Sequence, residues 1–112
     1  MEQIVREAAS RLTQALRESN TSRQYKESAE ALKAMPDVFQ QVMELRARTI
    51  EIYQENDPDV LLADSDRLAR HYDELQRIPE VSVFLEAEEE LVATIQAINS
   101  ELCHCVDLYL QE

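Results

Sequence analysis

The 112-residue chain contains no glycine. Average usage of ~7% would give about eight. Glycine fills the positive-φ positions of tight hairpins, phosphate-cradling loops and many helix C-caps. Without it, a P-loop, a glycine-rich dinucleotide turn and a Gly-x-Ser-x-Gly nucleophile elbow are all excluded. What remains accessible is a set of helices joined at proline- and Asx-marked corners. Aromatics are only 5% of residues, against 45% hydrophobic overall. Leu, Val, Ile, Ala and Met must therefore fill the core, as in a helical bundle. Basic charge is also scarce, with 11 Lys and Arg against 23 Asp and Glu and a net charge of −12. Such a surface repels phosphate backbones and anionic bilayers, so neither direct nucleic-acid binding nor a membrane partner is expected. Basic protein surfaces are its natural complement, and solubility alone is the plainer explanation. No run of ~18 apolar residues is present to span a bilayer. The segment Met1 to Glu7 lacks the basic and apolar regions of a secretory signal. Two cysteines with one residue between them make no disulfide framework. One helical domain over residues 1–112, located in the cytoplasm, is the expectation.

Apolar residues recur at helical spacing through most of the chain. Ile4, Val5, Ala8, Leu12, Ala15 and Leu16 define a first helix over residues 2–18. Ser19-Asn20-Thr21-Ser22 breaks it and offers N-caps for a second, over residues 22–34, with Tyr25, Ala29 and Leu32 on one face. Pro36 opens a third helix, to Asn56, with Val38, Phe39, Val42, Met43, Leu45, Ile50, Ile52 and Tyr53 as its apolar positions. Asp57-Pro58 pairs an N-cap with proline at the first helical position. The fourth helix runs from there to Arg77, with Leu61, Leu68, Tyr72 and Leu75 facing inward. Pro79 opens the last helix, to Leu110.

The final helix carries the most regular pattern. Phe84, Glu88, Leu91, Ile95, Ile98, Leu102, Cys105 and Tyr109 alternate in steps of four and three, a coiled-coil-like seam. A helix of ~32 residues spans ~48 Å. A compact monomer of this length has a radius of gyration near 13 Å and a diameter near ~35 Å. The seam should therefore extend past its own subunit and be covered by a homodimer or higher homo-oligomer, with those eight residues at the interface.

A short repeat also appears. Leu32-Lys33-Ala34-Met35-Pro36-Asp37-Val38 matches Leu75-Gln76-Arg77-Ile78-Pro79-Glu80-Val81. In each, one helix ends before a proline that starts the next, and an acid occupies the first turn, where the helix dipole favours it. Duplication and convergent turn chemistry both account for it. Either predicts two similarly built corners.

Chemistry-bearing residues are sparse. Cys103 and Cys105 lie two apart, so on a regular helix their side chains diverge by ~200° and cannot grip one ion. Cys105 falls on the seam, where a small buried thiol is an ordinary filler. His71 and His104 stand more than thirty residues apart, in no His-x-x-x-His or Glu-x-x-His motif. Glu86, Glu89 and Glu90 suit a solvated helix face. Glu88 interrupts the seam and would meet Arg46, Arg48, Arg67 or Arg70, or water. No catalytic residue, resident cofactor or metal ligand set is assigned. The chain reads as a non-enzymatic interaction protein, the alternative being a metal- or iron–sulfur-binding redox sensor using Cys103 and Cys105.

Three segments together carry a family resemblance: Ile4-Val5-Arg6-Glu7-Ala8, Tyr25-Lys26-Glu27-Ser28-Ala29-Glu30-Ala31-Leu32, and Asp73 through Leu91 around the second proline corner. In this order they resemble the YlbF/YmcA family of small helical bacterial proteins, which includes YheA-like members. The resemblance covers nearly the whole chain. It implies an all-α, self-associating protein without catalytic residues. It further implies a subunit of a regulatory complex tied to biofilm formation, competence, sporulation and ribonuclease Y-dependent messenger-RNA processing. Some members bear a cysteine-containing C-terminal tail associated with iron–sulfur clusters. Here Cys103 and Cys105 lie inside the last helix instead.

Overall fold

A computed structural model describes residues 1–106. Five helices follow one another: α1 (Gln3–Glu18), α2 (Asn20–Lys33), α3 (Pro36–Tyr53), α4 (Pro58–Gln76) and α5 (Pro79–Cys105). Among the described residues there is no strand. The all-α fold and the long final helix match expectation. Tyr109 and Leu110 lie outside the described residues. The chain groups into two compact units, Ser28–Leu85 on the one hand and Met1–Glu27 with the chain from Glu86 on the other.

Within Ser28–Leu85, α3 and α4 pack against each other. Leu32, Val42, Leu45, Leu75, Val81 and Phe84 are buried. Full burial of each such side chain is worth about 1.5–3 kcal/mol. The Arg46 guanidinium stands over the Phe84 ring, 5.3 Å from its centroid, in a cation–π arrangement. The two proline corners are built alike. The Met35 amide donates to the Leu32 carbonyl at 2.9 Å and the Ile78 amide to the Leu75 carbonyl at 3.0 Å. The next helix then starts on the same residue: the Phe39 amide donates to Met35 and the Ser82 amide to Ile78. Both corner leucines are buried, so each corner is pinned by an apolar anchor as well as by proline.

The last helix, expected to Leu110, ends at Cys105 with a turn at Val106, and two further boundaries differ from the sequence pattern. The four-residue break expected at Ser19–Ser22 contracts to Ser19 alone. The Ser19 hydroxyl donates to the Leu16 carbonyl at 2.6 Å and accepts from the Ser22 amide at 3.1 Å. It thereby closes α1 and caps α2 at once, and α2 begins at Asn20. At the other boundary, α3 stops at Tyr53 and does not reach Asn56. The Glu55 carboxylate accepts from the Asn56 and Asp57 amides, both at 3.0 Å, diverting the backbone into a turn. Asp57 then caps α4 through the Asp59 amide at 3.0 Å.

On α3 and α4, three aromatic or aliphatic positions assigned to apolar faces are exposed: Ile50, Tyr53 and Tyr72. The spacing is helical, but these side chains are left open to solvent.

Candidate interaction surfaces

Three features stand out among the described residues. The first is α5. Phe84 is buried beneath Arg46, while Glu88, Leu91 and Ile98 are half-buried. Ile95 remains 46% exposed and Leu102 54% exposed. Val92 and Val106 are exposed as well. At 100° per residue, Val92, Ile95, Leu102 and Val106 fall within about 80° of one another, forming a single stripe. The seam pattern did not include Val92 and Val106, because polar Asn99 interrupts the spacing that would have linked them.

The second feature is α1, of whose residues none is buried. Ile4 is 78% exposed and Leu12 41%, with Val5 and Ala8 open between them. Glu2, at the N-cap, makes no side-chain capping bond. A 16-residue helix is near the lower limit of independent stability in water, and most helical stability in proteins comes from packing one apolar face.

The third lies between α3 and α4. A cavity of about 530 Å³ is lined mainly by Ile52, Tyr53, Leu61, Leu68 and Tyr72. Another, of about 510 Å³, is lined by Arg48, Glu51, Glu55, Asp64, Arg67 and His71 together with Ile52 and Leu68. Arg67 pairs with Asp64 across one turn at 2.8 Å. Such an exposed pair contributes little to stability. Two of the arginines considered for Glu88, Arg48 and Arg67, therefore line this cleft. Arg70 reaches the Asp66 carbonyl at 3.5 Å.

Cys103 and Cys105 are both free and exposed in the single chain. The Cys105 thiol donates to the Leu102 carbonyl at 3.1 Å, and His104 Nδ1 to the Ser100 carbonyl at 2.8 Å. Among the described residues, no group of three His, Cys, Asp or Glu side chains is placed to hold a metal ion. No helix among them is long and apolar enough to cross a membrane.

These features define an all-α protein with open apolar faces on α1 and α5. The chain belongs to the YlbF/YmcA family: the family model described as control of competence regulator ComK, YlbF/YmcA, matches residues 5–107. No curated protein and no solved structure matches it.

Proposed function

We propose that this protein is a non-catalytic, cytoplasmic helical adaptor that self-associates and regulates by binding other proteins. The carrying observation is the pair of uncovered apolar faces on α1 and α5, which water would leave solvated at a cost that association removes. Family membership supports a regulatory role of the competence-control type. Within that frame, the partners are further copies of the chain and other subunits of a regulatory complex, of the kind tied to biofilm formation, sporulation and ribonuclease Y-dependent messenger-RNA processing. The net charge of −12 favours a basic face on such partners. Light scattering at ~10 µM tests self-association, since a contact of micromolar strength or tighter is populated there. A mass of two or more chains is expected. A single-chain mass across the accessible concentration range overturns the proposal.

A further inference from the structure

The charged side chains lining the cleft between α3 and α4 are sorted by sign along its length. Residues 54–57 join the two packed helices, which therefore run antiparallel. On α3, Arg48 comes first, and Glu51 and Glu55 follow towards the turn. On α4, Asp64 stands nearest the turn, and Arg67 and His71 follow away from it. Both helices thus place carboxylates at the turn end and guanidinium or imidazole groups at the far end. Steps of three, four and seven residues keep each set on one helix face. At 1.5 Å per residue, the two kinds of group are offset by ~4.5–10 Å along the axis.

The stability of α3 does not account for this order. Its last turn holds Glu51 and no basic residue, the reverse of what the helix dipole favours. Nor do the charges fully neutralise one another. Arg67 pairs with Asp64 at 2.8 Å, whereas Arg48 and Glu51 share the same spacing and do not meet. Among the described residues, the side chains of Arg48, Glu51 and His71 make no hydrogen bond or ion pair. Glu55 engages the Asn56 and Asp57 amides through Oε1, which leaves Oε2 as a further acceptor. Half-buried Ile52 and Leu68 supply the apolar lining, which reduces the screening of charges beside it. The volume of about 510 Å³ is that of a small-ligand site.

We propose that this cleft binds a zwitterion of dipeptide size, its carboxylate towards Arg48 and His71 and its ammonium group towards Glu51 and Glu55. Two residues of extended chain span ~7 Å, within the offset between the two ends. The imidazole donates a hydrogen bond in either tautomer, so His71 serves the carboxylate end. A ligand of one sign only meets like charge at one end of the cleft. The lining residues are separate from the apolar faces of α1 and α5, so this binding and self-association stand or fall independently.

Nuclear magnetic resonance titration of the isotope-labelled full chain with alanylalanine tests this. Saturable shifts are expected at amides within residues 48–55 and 64–71, with a Kd at or below ~1 mM. N-acetylation of the dipeptide removes its ammonium charge and amidation removes its carboxylate, and each should weaken binding at least ~3-fold. Initial shift slopes extend the comparison to forms that do not saturate. Arg48→Gln should weaken the unmodified dipeptide at least ~3-fold and leave the amidated form unchanged. Glu51→Gln should weaken it equally and leave the N-acetylated form unchanged. That crossed pattern is one that a general loss of structure does not give. Both residues are exposed, and circular dichroism checks that both variants fold. No saturable shift up to ~20 mM dipeptide, equal affinity for the three forms, or variants that change nothing or weaken all forms alike overturns the proposal.

Discussion

Truncating Ile95 to alanine separates assembly from folding. In the single chain, Ile95 keeps 46% of its surface in water. Complete burial of an isoleucine is worth about 1.5–3 kcal/mol, so covering the remaining fraction contributes about 0.7–1.4 kcal/mol per copy. A two-fold dimer contains the residue twice, which doubles the effect to about 1.4–2.8 kcal/mol. At ~1.4 kcal/mol per factor of ten, Ile95→Ala should raise the dimer Kd roughly 10- to 100-fold. The single chain should respond differently. Alanine is the better helix former by a few tenths of a kcal/mol, and substitutions at exposed sites stay within about 0.5 kcal/mol. Sedimentation over a dilution series reads the first quantity, and urea unfolding well below the Kd reads the second. A Kd within threefold of the parent's would show that nothing covers Ile95. Destabilisation of the dissociated chain by more than about 1 kcal/mol would show that Ile95 already belongs to the monomer core.

Leu32 lies at the opposite extreme, with no exposed surface at the first proline corner. Leu32→Ala should cost about 2–5 kcal/mol through lost burial and the cavity left behind, read as a shifted urea midpoint. A loss below ~1 kcal/mol would mean that the corner is not anchored there. Anaerobic purification followed by metal analysis and an absorption spectrum should return a colourless, metal-free protein, because two diverging thiols supply too few ligands for a closed site. Stoichiometric iron or zinc lost in a Cys103→Ser, Cys105→Ser variant would restore the redox-sensor alternative.

The order of elements was readable because its signals are local. Pro36, Pro58 and Pro79 each open a helix, and Asp57 caps one through its own side chain. The repeat around Met35 and Ile78 likewise translated into two equivalent hydrogen-bonded corners. Periodicity was less informative about burial. It places Ile50, Tyr53 and Tyr72 on apolar faces just as it does Val42 and Leu45, but only tertiary packing decides which of these is covered. The same ambiguity applies to α1, whose pattern is regular and whose apolar face is open from Ile4 to Ala15. Arg46 over Phe84 could not be anticipated, since the two are distant in sequence and no local motif joins them. Among the assigned seam positions, Phe84 is enclosed by its own subunit and Ile95 and Leu102 are open, a division that a heptad count treats as uniform.

Only Ser19 separates α1 from α2, and it is committed to both helices. The joint has no slack. Inserting or removing a residue there would break the hydrogen bonds by which Ser19 closes α1 and caps α2, and would change the direction in which the greasy edge of α1 faces. The spacing of a single serine therefore sets the direction in which this helix offers itself to a neighbour, so a length change at that joint would misdirect α1 even with every side chain on it preserved.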